Sequence, residues 1–309
     1  MPELREITSG LRFPEGPVAL ADGSFLVVEI EGRQITRVLP NGTKYVVARP
    51  GGGPNGQAIG PDGKLYVCNN GGFEFVHDEG FGRRPVREAW DYSGGRVERI
   101  DLDSGEVEVL YRGTPEVQLR GPNDIVFDAH GGFYFTDLGK VRARAMDRGA
   151  VFYARPDGSL IHEVAFPMVT PNGIGLSPDG NTLYVAETEA ARLWAFEIAE
   201  PGVLWNEPWP SPHGGRLLAA PGGIYQRFDS LAVEANGNIC VATLIHGGIT
   251  VVSPEGEVVE HVPMPDLYTT NLCFGGPDLR TAYVTLSYSG RLVALDWPRP
   301  GLALNYLNV

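Results

Sequence analysis

The sequence predicts an all-β protein: a six-bladed β-propeller with four-stranded blades around a central channel, with residues 1–309 forming one domain. Three observations predict it. Glycine (41 residues) and proline (25) make up about a fifth of the chain without a collagen period, which favours many short strands joined by tight turns. One pattern of turn, apolar run, glycine turn and second apolar run recurs along the whole chain. Successive copies are 40, 68, 49, 57 and 42 residues apart, the length of one four-stranded blade plus variable loops.

The copies begin Phe13-Pro14-Glu15-Gly16, Gly53-Pro54-Asn55-Gly56, Gly121-Pro122-Asn123-Asp124, Thr170-Pro171-Asn172-Gly173, Arg227-Phe228-Asp229-Ser230 and Thr269-Thr270-Asn271-Leu272. In the first five a glycine follows eight residues after the third position: Gly23, Gly63, Gly131, Gly180 and Gly237. The sixth copy is looser, with Gly276-Pro277-Asp278 in that region. Second strands are predicted at Phe25-Leu26-Val27-Val28, Leu65-Tyr66-Val67-Cys68, Phe133-Tyr134-Phe135-Thr136 and Leu183-Tyr184-Val185-Ala186, all rich in β-formers. A further strand pair follows around a turn, as from Ile35 to Val47 across Pro40-Asn41-Gly42 or from Val151 to Val164 across Pro156-Asp157-Gly158. Leu292-Val293-Ala294-Leu295 is expected to complete the last blade.

With 43% hydrophobic residues the chain can bury a large core. Its 38 acidic and 25 basic residues give a net charge of −13, which disfavours nucleic acid and anionic membrane surfaces as partners. Residues 1–15 carry no basic start with an apolar stretch behind it, and no run of 18 apolar residues occurs, so a cytoplasmic protein is expected. Cys68, Cys240 and Cys273 form no CxxC pair and sit in apolar runs, as reduced core thiols would.

The first strand of every propeller blade lines the channel, so equivalent positions converge on one axis. Here they are Glu15, Asn55, Asn123, Asn172, Asp229 and Asn271, an all-oxygen set of two carboxylates and four amides. Buried carboxylates without counter-charge are costly, and a divalent cation is the simplest compensation. Hard oxygen donors without histidine or thiol select Ca²⁺ first, Mg²⁺ or Mn²⁺ next, and Zn²⁺ less readily. Other chemistry finds no motif. GxSxG, HExxH, a GxGxxG opening a helix and a Walker loop are missing; Gly139-Lys140 is followed by Val141 instead of a hydroxyl residue, and Asp101-Leu102-Asp103-Ser104-Gly105 reads as a hairpin turn.

Taken together, Arg12-Phe13-Pro14-Glu15-Gly16-Pro17, Gly121-Pro122-Asn123-Asp124 with Phe135-Thr136-Asp137, Pro171-Asn172-Gly173 with Ser177-Pro178-Asp179-Gly180, Phe228-Asp229-Ser230 and Thr269 to Gly276 resemble one family over essentially the full chain. It is the SMP-30/gluconolactonase/regucalcin-like family, related in fold to diisopropylfluorophosphatase. The resemblance implies one catalytic divalent metal held by Glu15, Asn172 and Asp229, with Asn123 either a fourth ligand or a substrate contact. It also implies Asn55 at the substrate and hydrolysis of a lactone to its hydroxy acid, Asp229 acting as general base or as nucleophile. Arg120 is the arginine available where regucalcin-like members bind sugar acids, and Asp124 joins it as a substrate-binding residue. Asp124 and Asp137 could equally orient the amides or cap strand ends. The chain departs from gluconolactonase-like relatives after Asp137, where it reads Leu138-Gly139-Lys140.

Loops after second strands should overhang the metal face. The segment from Asn70 to Gly95 carries Phe73, Phe75, His77, Phe81, Arg83, Arg84, Trp90 and Tyr92, and that from Pro201 to Gln226 carries Trp205, Trp209, His213 and Tyr225. Long loops in compact domains are often lids, and these aromatics are expected to wall a pocket for a lactone bulkier or less polar than gluconolactone. The competing readings are a phosphotriesterase-type organophosphate hydrolase and a non-catalytic calcium-binding propeller; the charged pair Glu15 and Asp229 argues against the latter. The expected partner is a small lactone, with the protein a monomer or small homo-oligomer.

Overall fold

The computed structural model of the protein describes residues 3–79 and 82–308; these form strands and turns with no α-helix among them. Six antiparallel sheets follow one another along the chain as the repeat predicts. Blade I comprises Pro14–Ala19, Phe25–Glu29, Gln34–Val38 and Lys44–Ala48. Blade II comprises Pro54–Ile59, Leu65–Asn69, Arg96–Ile100 and Val107–Tyr111. Pro122–Phe127, Phe133–Asp137, Gly149–Ala154 and Ile161–Met168 make blade III. In blade IV, Pro171–Leu176, Thr182–Glu187 and Arg192–Glu200 are followed by two short pieces, Val203–Leu204 and Arg216–Ala219, both paired to the third strand. Blade V is Arg227–Val233, Ile239–Leu244, Gly248–Val252 and Val258–Pro263.

Blade VI is built from both ends of the chain. Thr269–Gly275, Thr281–Leu286 and Arg291–Asp296 are its first three strands, and Arg5–Thr8 supplies the fourth, antiparallel to the third. The segment Leu292–Leu295 is therefore a third strand, and the ring is closed by the N-terminal strand beside it. That pairing covers the edge the last sheet would otherwise expose. The six first strands contact one another in order around a ring.

Six apolar clusters hold the ring, one between each pair of adjacent blades. Second strands such as Phe133–Asp137 are buried on both faces between neighbouring sheets, so they read as continuous apolar runs rather than alternations. The three cysteines are free and buried in these clusters: Cys68 between blades II and III, Cys240 between V and VI, and Cys273 between VI and I. The glycines eight residues after each repeat start all have φ between +72° and +93°, the left-handed conformation that a tight turn requires and side chains resist.

The segment from Asn70 to Gly95 is more ordered than a loop. It forms a second antiparallel hairpin, Phe73–Asp78 against Gly82–Glu88, inserted between the second and third strands of blade II. Phe81, expected among its aromatics, lies outside the described residues.

Candidate functional site

The first strands of blades I to IV are entered from loops that the end of the second strand ties down. Glu29 accepts the N–H of Arg12, Asn69 Oδ1 that of Gly53, Asp137 those of Arg120 and Gly121, and Glu187 that of Val169. Of the two roles open to Asp137, the structure shows the strand-end cap.

Directly after entry the first strand bulges. In blade II, Pro54 pairs with Asn69 but Gln57 with Val67, three steps against two, and blades III, IV and V repeat this, while in blade I Glu15 still pairs with Val28 and the shift falls between Glu15 and Val18. A bulge interrupts the two-residue alternation and re-aims side chains. The extra residue falls at Asn55-Gly56, Asn123-Asp124, Asn172-Gly173 and Asp229-Ser230, where the sequence places its oxygen donors, and in blade I at Gly16-Pro17, directly after Glu15. Two glycines permit the close approach of adjacent first strands. A Cβ on Gly56 would lie 2.5 Å from Asn123 O and Asp124 Oδ1, and one on Gly173 2.7 Å from Asp229 O.

Blade VI differs. Thr269 pairs with Leu286, and Asn271 already pairs with Thr285. Thr270 therefore stands where Glu15 and Asn55 stand, and Asn271 takes the place of Gly56 and Asp124. Asparagine identity had put Asn271 in the equivalent set; the register moves it by one residue. Asn271 still reaches the site, its Nδ2 donating to Glu15 Oε2 at 2.7 Å, while the Thr270 hydroxyl joins those of Thr285 and Ser287.

Three carboxylates meet at this level. Glu15 is buried and also accepts the Gly16 N–H at 2.5 Å; burial, with Asp124 nearby, pushes its pKa up to about 7. Asp124 is pushed up to about 7 by burial, although it accepts the Ile125 N–H at 3.0 Å. Asp229 is raised further by burial and then by the charges of Glu15 and Asp124, against a hydrogen bond from Asn172. No arginine or lysine among the described residues pairs with any of the three.

The amides surround them. Asn123 Oδ1 is buried without a hydrogen-bond partner among the described residues. Asn172 Nδ2 donates to Thr188 Oγ1 at 3.1 Å, and Asn55 is buried at the equivalent point of blade II. Arg120 stands apart: its side chain is exposed on the loop entering blade III, and its carbonyl accepts the Tyr92 hydroxyl at 2.6 Å. Away from the entry loops, a cavity of about 310 Å³ runs from Gly16, Gln57, Asp124 and Asn271 to the C-terminal segment Leu302–Leu307.

Three buried, uncompensated carboxylates beside an unpartnered amide oxygen fit a hard divalent cation. No three His, Cys, Asp or Glu side chains among the described residues form a metal-holding group by themselves, so a cation here would need the amides. The donor set contains no soft ligand.

The expected aromatic wall is redistributed. Trp90 is 90% exposed, Trp209 89%, Trp205 65% and Tyr225 66%, so they bury little against anything. His213 packs inward against Trp194 and Phe196. The rings that cluster at the mouth are Phe13, Phe75 and Tyr268. Sequence reasoning passed over Lys140, whose side chain is fully buried. Its Nζ lies 4.0 Å from the Phe73 ring centre and 5.1 Å from that of Tyr92, and donates to Gly72 O and Asn70 Oδ1. Its departure from the family pattern after Asp137 was the only signal.

Comparison with known proteins agrees with this fold. The model of the SMP-30/gluconolactonase/LRE-like region matches residues 13–288. A gluconolactonase of Zymomonas mobilis is 25% identical over 92% of this chain and 78% of its own, and the lactonase drp35 of Staphylococcus saprophyticus is 30% identical over 69% of this chain and 57% of its own. The solved structure of a calcium-binding protein, regucalcin, from Agrobacterium tumefaciens superposes with a TM-score of 0.74 at 19% identity, covering 98% of this chain and 95% of that one. By the extent of the family match, from the strand entry at Phe13 to the turn after the second strand of blade VI, the chain belongs to the SMP-30/gluconolactonase/LRE-like family.

Proposed function

We propose that the protein is a metal-dependent lactonase that opens a lactone ring to the hydroxy acid. The observation that carries this is the meeting of buried, unpaired Glu15, Asp124 and Asp229 beside the unpartnered Asn123 Oδ1. Relatives named gluconolactonase and lactonase support the reaction class. The calcium-binding name of the structural neighbour supports the choice of Ca²⁺, with Mg²⁺, Mn²⁺ or Zn²⁺ as substitutes.

Glu15, Asn172 and Asp229 would hold the cation, with Asn123 as fourth ligand or substrate contact. When bound, the cation polarises the lactone carbonyl and stabilises the charge that develops on its oxygen. Asp229 would take the proton from the attacking water and pass it to the ring oxygen as the acyl C–O bond breaks, or attack the carbonyl itself, releasing the ring oxygen as the alcohol and leaving an acyl-enzyme anhydride that water hydrolyses to free the acid. Asn271 orients Glu15 through its hydrogen bond, and the glycines beside the donors let adjacent first strands close up so that the donors converge. Asn55 and Asp124 contact the bound lactone, and Arg120 meets its polar groups from the rim.

The test is to strip the protein with a chelator, restore Ca²⁺, Mg²⁺, Mn²⁺ or Zn²⁺ singly, and follow acid release from sugar and alkyl lactones. Activity should vanish on chelation, return with one or more ions, and be lost in Asp229→Asn by at least about 100-fold. Undiminished hydrolysis in the chelated protein or in the variant would overturn the proposal.

A further inference from the structure

The inserted hairpin of blade II crosses the mouth. Its Arg83 N–H donates to Tyr288 O of blade VI at 3.3 Å, and Arg83 and His77 both bind Glu31 of blade I. Asp91, beyond its second strand, takes a two-pronged bond from Arg33 of blade I at 2.6 and 2.8 Å. At its base, Lys140 of blade III is held against Phe73. The hairpin is thus fastened to blades I, III and VI.

Phe73 and Phe75 both pack towards the apolar cluster between blades I and II. Phe75 meets Phe13 edge-on at 5.2 Å between ring centres, and Phe13 meets Tyr268 at 5.9 Å. Phe13 precedes Glu15 by two residues and has φ +56°, a conformation bulky residues avoid unless their surroundings impose it. Tyr268 lies two residues before Thr270, and the Asp229 charge acts on its phenol. Phe75 and Tyr268 both keep part of their surface open. Rings from blade I, blade VI and the blade II insertion therefore converge beside the acids, on the Glu15 side.

We infer that Phe75 and Tyr268, packed on the buried ring of Phe13, form the subsite that receives the ring substituent of the lactone, favouring alkyl-substituted lactones over polyhydroxylated sugar lactones. This rests on the lactonase reading and narrows its substrate. An apolar substituent buries against the rings, whereas sugar hydroxyls placed there would lose water without gaining partners. The hairpin determines specificity through one side chain, Phe75, that no residue of the repeat supplies.

The measurement is kcat/KM for γ-nonalactone divided by that for gluconolactone, on metal-loaded enzyme. Phe75→Ala should lower this ratio about tenfold or more. Should that variant fail to fold, Phe75→Ser and Tyr268→Asn are read in its place, with a fall of the same sign expected. The double variant Trp90→Ala, Trp209→Ala should leave the ratio unchanged. Native enzyme that opens lactones, with a ratio unmoved by the Phe75 and Tyr268 variants, would overturn the subsite while sparing the activity. Native enzyme that opens neither lactone with any of the four metals would overturn the activity and the subsite together.

Discussion

Replacing Lys140 by methionine removes the one ammonium among the described residues that is wholly withdrawn from water, and the consequence is calculable. Burial pulls the Lys140 pKa down from 10.5 to about 7, against the favourable charges of Glu88 and Asp137. The difference corresponds to about 5 kcal/mol of folding free energy that the charged amine forfeits relative to the neutral one. Below pH 7 the amine is protonated whether the chain is folded or not, and it contributes no pH dependence. Between pH 7 and 10.5 the unfolded chain still binds the proton that the folded chain has released, so stability gains with rising pH, by up to about 1.4 kcal/mol per unit from this group. The methionine variant lacks this contribution, while the remaining ionisable groups are common to both proteins. The native-minus-variant difference in unfolding free energy, from denaturant titrations at half-unit steps, should be flat near pH 6 and climb by about 2–3 kcal/mol between pH 7.5 and 9.5. Two curves that stay parallel across that window would refute the claim that Lys140 is buried as a strained ammonium.

Deleting residues 3–8 removes the fourth strand of blade VI, together with Leu4 and Ile7, which pack on the V/VI and VI/I clusters. A loss of about 2–4 kcal/mol and a lower thermal midpoint are expected, and a midpoint identical to the full chain would count against N-terminal closure of the ring. The thiols of Cys68, Cys240 and Cys273 are pushed up by burial, so native protein at pH 8 should not react with an aromatic disulfide reagent, whereas the denatured chain should release three equivalents. Rapid reaction of any thiol in native protein would contradict its burial.

Much of the architecture was legible because it is local. Glycine at a fixed offset marks a left-handed turn, and apolar runs between turns mark strands, so the six copies could be counted before any contact was known. The convergence of Glu15, Asn123, Asn172 and Asp229 followed from propeller geometry, since residues at one phase of the repeat must face one axis. The fourth strand of blade VI was not readable, because Arg5–Thr8 carries no turn signal and acquires its partner only when the two chain ends meet. Nor was the offset at Thr270, because a bulge is a property of two paired strands and leaves no mark on either alone.

The chain by itself therefore settled the number of blades and the residues that could supply oxygen donors, both of which depend on neighbours within a few residues. Tertiary contact decided that Asp124 stands with Glu15 and Asp229, that Lys140 is sealed beneath Phe73, and that Phe75 rather than Trp90 or Trp209 reaches the mouth. Those outcomes turn on desolvation and on packing between blades, which join residues far apart in sequence and arise only when the ring closes.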